Sequence, residues 1–135
     1  MVQIIKDMDE LKTFLKAAGC KLVVVEFSAK WCGPCKRIYP LIHAMSLQYR
    51  NVMFANVDVD DSKELAQSYH IKSVPTFQMF KQTRKIFEFC GADAQKLEAK
   101  IQELIGPAQL SHTMPLRRFS RDCQRWNSSQ WSRNK

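Results

Sequence analysis

A chain of 135 residues, 45% hydrophobic and 25% charged, is long enough for one domain with a single hydrophobic core and an appendage. Its net charge of +8 is uneven: residues 1–105 hold 15 Lys+Arg against 12 Asp+Glu, whereas Arg117, Arg118, Arg121, Arg125, Arg133 and Lys135 face Asp122 alone in residues 106–135. Basicity gathered in a C-terminal segment weakens nucleic-acid binding as a role for the whole body. The most apolar run, Leu22 to Val25, is too short to cross a bilayer.

The amino terminus becomes charged at Lys6 and lacks the apolar stretch of a signal peptide, so a soluble, cytoplasmic protein is expected. Asp7 to Ala18 carries Met8, Leu11, Phe14 and Leu15 at helical spacing, with Asp7 placed to cap and Gly19 to stop. Lys21–Ser28 is continuously apolar and β-branched, the mark of a fully buried central strand. A sharp turn at Trp31–Cys35 leads into a helical stretch from Lys36 to Tyr49, which Pro40 should kink. Val52–Val59 reads as a strand, Ser62–His70 as a short helix, and Thr76–Lys81 with Lys85–Cys90 as a hairpin turning at residues 82–84. Ala94–Ile105 is amphipathic, and Gly106-Pro107 ends both that helix and the domain. Strands alternating with helices predict an α/β fold with helices on both faces of the sheet. The domain then spans residues 1–105, and residues 106–135 read as a basic, disordered tail.

Cysteine usage narrows the chemistry. Cys20, Cys90 and Cys123 are scattered singles, and only Cys32 and Cys35 share a short spacing. An odd total of five fits reduced intracellular thiols better than a disulfide framework. In Cys32-Gly33-Pro34-Cys35, two intervening residues at the first turn of a helix bring two sulfurs within disulfide reach. The helix start favours a thiolate on Cys32. Cys32 would attack a substrate disulfide, and Cys35 would then attack Cys32 and release the reduced substrate. Gly33 permits close approach of another chain, and Pro34 suits a first helical turn. Half of a zinc site or a structural disulfide would use the same spacing, but no second CxxC and no paired His supplies four ligands.

VVVEFSAKWCGPCK, NVDVDD and VPTFQMF, in that order, resemble the thioredoxins over residues 1–105, with animal cytosolic thioredoxins and their spermatid-specific relatives nearest in pattern. The resemblance implies a mixed five-stranded sheet flanked by four helices, and a monomer that reduces protein disulfides. It also implies electrons from NADPH through a thioredoxin reductase, with no cofactor or metal on this chain. Pro75 matches a cis-proline facing the sulfurs, Val74 the residue whose backbone pairs with a substrate peptide, and Trp31 an indole over the site, steadied by Asp60 or Asp61. Without the resemblance, a trans proline at a strand edge would be the default for Pro75.

Glu26 stands where thioredoxins usually carry a buried Asp that manages the proton of the second cysteine. A carboxyl in an apolar strand should have a raised pKa and suits that task; the alternative is a strand-edge Glu facing solvent. Thr83 occupies a turn where the family often has Gly, and Ser73 replaces a cysteine of mammalian thioredoxin, so regulation through that cysteine does not carry over. In the tail, Ser120 follows Arg117-Arg118-Phe119 as a basophilic kinase site would, and Asn127-Ser-Ser129 forms a glycosylation sequon left unused without secretion. Two other functional classes stay open: a secretory-pathway oxidase or isomerase, and a redox-dependent binding adaptor.

Overall fold

The computed structural model describes residues 1–106 and the backbone of Gln124–Arg125. In chain order the elements are β1 (Val2–Ile4), α1 (Met8–Ala17), β2 (Leu22–Ser28), α2 (Gly33–Gln48), β3 (Val52–Asp58), α3 (Lys63–Ser68), β4 (Ser73–Val74), β5 (Thr76–Lys81), β6 (Arg84–Cys90), α4 (Ala94–Ile105) and β7 (Gln124–Arg125). The main sheet has five strands in the order β1-β3-β2-β5-β6. β3 runs parallel to both β1 and β2, whereas β5 is antiparallel to β2 and β6. This is the mixed α/β architecture expected, with β2 at its centre.

The position of β2 explains its composition. It is paired on both sides and covered on both faces, so alternate residues enter different cores. Val23, Val25 and Phe27 pack with Leu11 and Leu15 of α1 and Leu65 and Ala66 of α3. Leu22 and Val24 pack with Ile38, Ile42 and Met45 of α2 and Leu97 and Ile101 of α4. Tyr49 ties the second layer together: its hydroxyl donates to Glu98 Oε2 at 2.6 Å and accepts from Gln102 Nε2 at 2.8 Å. At the start of α1 the Asp7 carboxylate accepts from the Glu10 amide at 2.8 Å, and Glu10 Oε1 accepts from the Lys6 amide at 2.7 Å. This reciprocal cap satisfies two amide donors at the helix entrance.

Three local expectations change. β1 was not legible: three residues hold no period, and their place is set by parallel pairing of Val2 with Phe54 and Ile4 with Asn56. α2 starts at Gly33, three residues before Lys36, and ends at Gln48, because Pro is well accommodated in a first turn whose amides have no intrahelical acceptor. Pro40, expected to kink α2, lies exposed inside the element, where it supplies no amide to the helix. The hairpin turn is only Gln82-Thr83, since Arg84 already pairs with Lys81. Both turn residues have positive φ, 51° and 68°, as a two-residue turn matched to strand twist demands. For a β-branched Thr this is a strained backbone.

The β4–β7 pair forms a second, two-stranded sheet that the sequence pattern did not foreshadow. Ser120, Cys123 and the Asn127 sequon lie outside the described residues. Among those described, no helix is long and apolar enough to cross a membrane.

Candidate active site

β2 ends at Ser28, and the chain then turns through Ala29–Trp31 into α2. Within that turn the Cys32 amide donates to the Ala29 carbonyl at 3.1 Å. Cys32 is the N-cap of α2, and its sulfur accepts from the Cys35 amide at 3.1 Å. A sulfur in this position faces amides that have no acceptor within the helix, together with the positive end of the helix dipole. Cys32 and Cys35 are joined by a disulfide across a Cα–Cα distance of 5.2 Å, within the usual span of such bonds. Among the described residues the free cysteines are Cys20, exposed, and Cys90, buried. No described group of His, Cys, Asp and Glu is arranged to hold a metal ion.

Val74 shares an apolar cluster with Cys32 and Cys35, and Trp31 packs against it. The Val74-Pro75 peptide bond is cis, so the default of a trans proline does not hold. Around it, Thr76 Oγ1 donates to the Ser73 carbonyl at 2.7 Å, and the Pro75 carbonyl accepts from the Gly91 amide at 2.9 Å. Trp31 Nε1 donates to Asp60 Oδ2 at 2.7 Å; Asp61 instead lies 3.6 Å from Lys30 at the surface. Gly33 is exposed and Pro34 half-buried.

Glu26 faces no solvent. It is 2% exposed, in register with Asn56 on one side and Phe77 on the other, which rules out the strand-edge alternative. Asn56 Nδ2 donates to Glu26 Oε1 at 2.9 Å, and Asn56 Oδ1 accepts from Ser28 Oγ at 3.1 Å. The second carboxylate oxygen, Oε2, is buried without a hydrogen-bond partner. Desolvation disfavours the ionised form and pushes the carboxyl from 4.5 up to about 8, with the Asn56 bond pulling more weakly in the other direction. Asn56 also lines, with Cys35, Ser28 and Tyr39, a cleft of about 330 Å³. It is the residue that sequence reading missed. The available signal was a polar Asn inside the apolar run of β3, which gains meaning only from its register with Glu26.

A family model described as Thioredoxin matches residues 3–103. The chain belongs to the thioredoxin family. Human thioredoxin domain-containing protein 8 is 58% identical, with 78% of this chain and all of that protein covered. Human thioredoxin is 51% identical over the same shares. Among solved structures, thioredoxin from Fasciola hepatica superposes with a TM-score of 0.74 at 33% identity, covering 76% of this chain and 98% of that one. As a thioredoxin with a cysteine pair at disulfide distance, the protein is a thiol–disulfide oxidoreductase.

Proposed function

We propose that the protein reduces disulfides in client proteins, with Cys32 as nucleophile and Cys35 as resolving thiol. The observation that carries this reading is the placement of Cys32 at the N-cap of α2, one turn from Cys35 and linked to it. In the reduced protein, the Cys32 thiolate attacks one sulfur of a client disulfide. A Cys32–client bond forms, the client disulfide breaks, and the departing client thiolate takes up a proton. Cys35 then loses its proton and attacks the Cys32 sulfur. The Cys32–Cys35 bond forms, and the second client thiolate leaves with the remaining electron pair. The helix geometry makes this second attack intramolecular.

Glu26 receives the proton of Cys35 in this scheme, held in place by Asn56, which lines the same cleft as Cys35. With a pKa of about 8, roughly a tenth of the carboxyl is ionised near neutral pH. The resolving step should therefore quicken as pH rises toward 8. Val74 offers its backbone to the client peptide by strand addition, beside cis-Pro75. A Cβ added at Gly33 would meet nothing within 4 Å, so the missing side chain serves an approaching chain and not the packing of this one. NADPH, through a flavin-dependent thioredoxin reductase, returns the pair to the dithiol. On the same footing the domain ends at residue 105, the protein acts as a cytoplasmic monomer, and a role in spermatogenesis rests on resemblance alone.

Trapping tests the assignment of the two thiols. Incubated with an excess of a disulfide-bridged peptide, reduced Cys35→Ser protein should accumulate a peptide adduct mapped by mass spectrometry to Cys32. Adducts forming equally well on Cys32→Ser protein would overturn it.

A further inference from the structure

Two observations at the cysteine pair stand apart from the reaction just proposed. The edge of β4 is already occupied: Gln124 pairs with Val74 and Arg125 with Ser73, in antiparallel register. In addition, Cys32 has no exposed surface at all (0%), while Cys35 retains 5%. A nucleophile that must meet a disulfide on a second protein has to present its sulfur, and a client peptide that adds to Val74 needs a vacant edge. Both requirements fail in the full chain as it stands.

We propose that the C-terminal segment is a tethered occupant of the client edge, with residues 124–125 pairing in cis with β4 as a client strand would in trans. The proposal rests on the reading of Val74 and Cys32 given above. Residues 107–123 are long enough, at about 3.4 Å each when extended, to carry the chain from Gly106 across the domain. A tether of this length holds the strand at an effective concentration on the order of millimolar, so a dilute client must displace it. Two paired residues give few ladder bonds, each of modest net strength, which makes the cover releasable.

The full-length Gln124→Pro variant tests the proposal, because proline cannot donate to a strand ladder. With insulin as client, the variant should show a lower KM and a kcat/KM raised on the order of tenfold, the size of one or two net backbone hydrogen bonds. In the reduced protein, Cys32 should also be alkylated faster by iodoacetamide than in the wild type. An unchanged KM together with an unchanged alkylation rate would overturn the proposal. Absence of activity in both proteins, toward insulin and toward hydroxyethyl disulfide alike, would instead overturn the reductase reading, and this inference with it.

Discussion

Replacing Glu26 by Gln keeps the size of the side chain and its bond from Asn56 while removing the charge that burial opposes. In the native protein the carboxyl holds its proton up to about pH 8, against an ordinary value of 4.5 for the unfolded chain. Below pH 4.5 both states are protonated, and the group adds no pH dependence. Between the two values the native state binds more protons than the unfolded one, so stability falls as pH rises, by about 1.4 kcal/mol per pH unit. Above about pH 8 both states are ionised and the loss is complete. From pH 5 to pH 8 the wild type should lose on the order of 4 kcal/mol that Glu26→Gln retains. Urea unfolding of both oxidised proteins across that range, followed by tryptophan fluorescence, reads the difference directly. Oxidation keeps Cys32 and Cys35 from titrating, and the remaining groups titrate alike in both proteins and cancel. Parallel stability curves would refute the reasoning, since they would mean that Glu26 ionises natively no later than in the unfolded chain.

Asn56→Ala removes the bond that holds the Glu26 carboxylate, so the Glu26 pKa should move further up; a carbon-detected NMR titration showing it lower would contradict the geometry. Asp60→Ala leaves the indole nitrogen of Trp31 without its acceptor and should cost about 1 kcal/mol of stability, with a shift in tryptophan emission; an unchanged denaturation midpoint would argue against that bond. Thr83→Gly relieves a β-branched residue from φ of 68° and should raise stability by about 1 kcal/mol despite glycine's greater freedom when unfolded. A lower melting temperature by calorimetry would show that the turn carries no strain.

The parts of the fold with strong local signals are legible in the amino-acid sequence alone. Leu22–Val25 reads as a buried central strand, and the stripe Leu97, Ile101, Leu104 and Ile105 as one helical face. What escaped has a common cause: it is set by pairing between distant residues. β1 and β4 are too short to hold a period, and β7 lies in a stretch whose composition carries no strand signal at all. The start of α2 was placed late because Gly33 and Pro34 are poor formers inside a helix, although both are suited to its first turn. At the site, Cys32 and Cys35 followed from spacing and chemistry. Pro75 and Val74 came from the family pattern, since no local rule separates a cis from a trans proline here. The burial of Glu26 was expected from its apolar neighbours, but Asn56, its partner across thirty residues, depends on strand register. The full burial of Cys32 contradicts the simple picture of an open nucleophile, and no reading of the motif alone would have raised it.

The central claim is Cys32-dependent reduction of protein disulfides, and the most direct test is turnover of insulin disulfides coupled to NADPH and a thioredoxin reductase, in wild type and Cys32→Ser. Steady NADPH consumption by the wild type that vanishes in the variant is the predicted result. A folded, reducible wild type that gives no turnover, or a Cys32→Ser protein that turns over as fast, would contradict it.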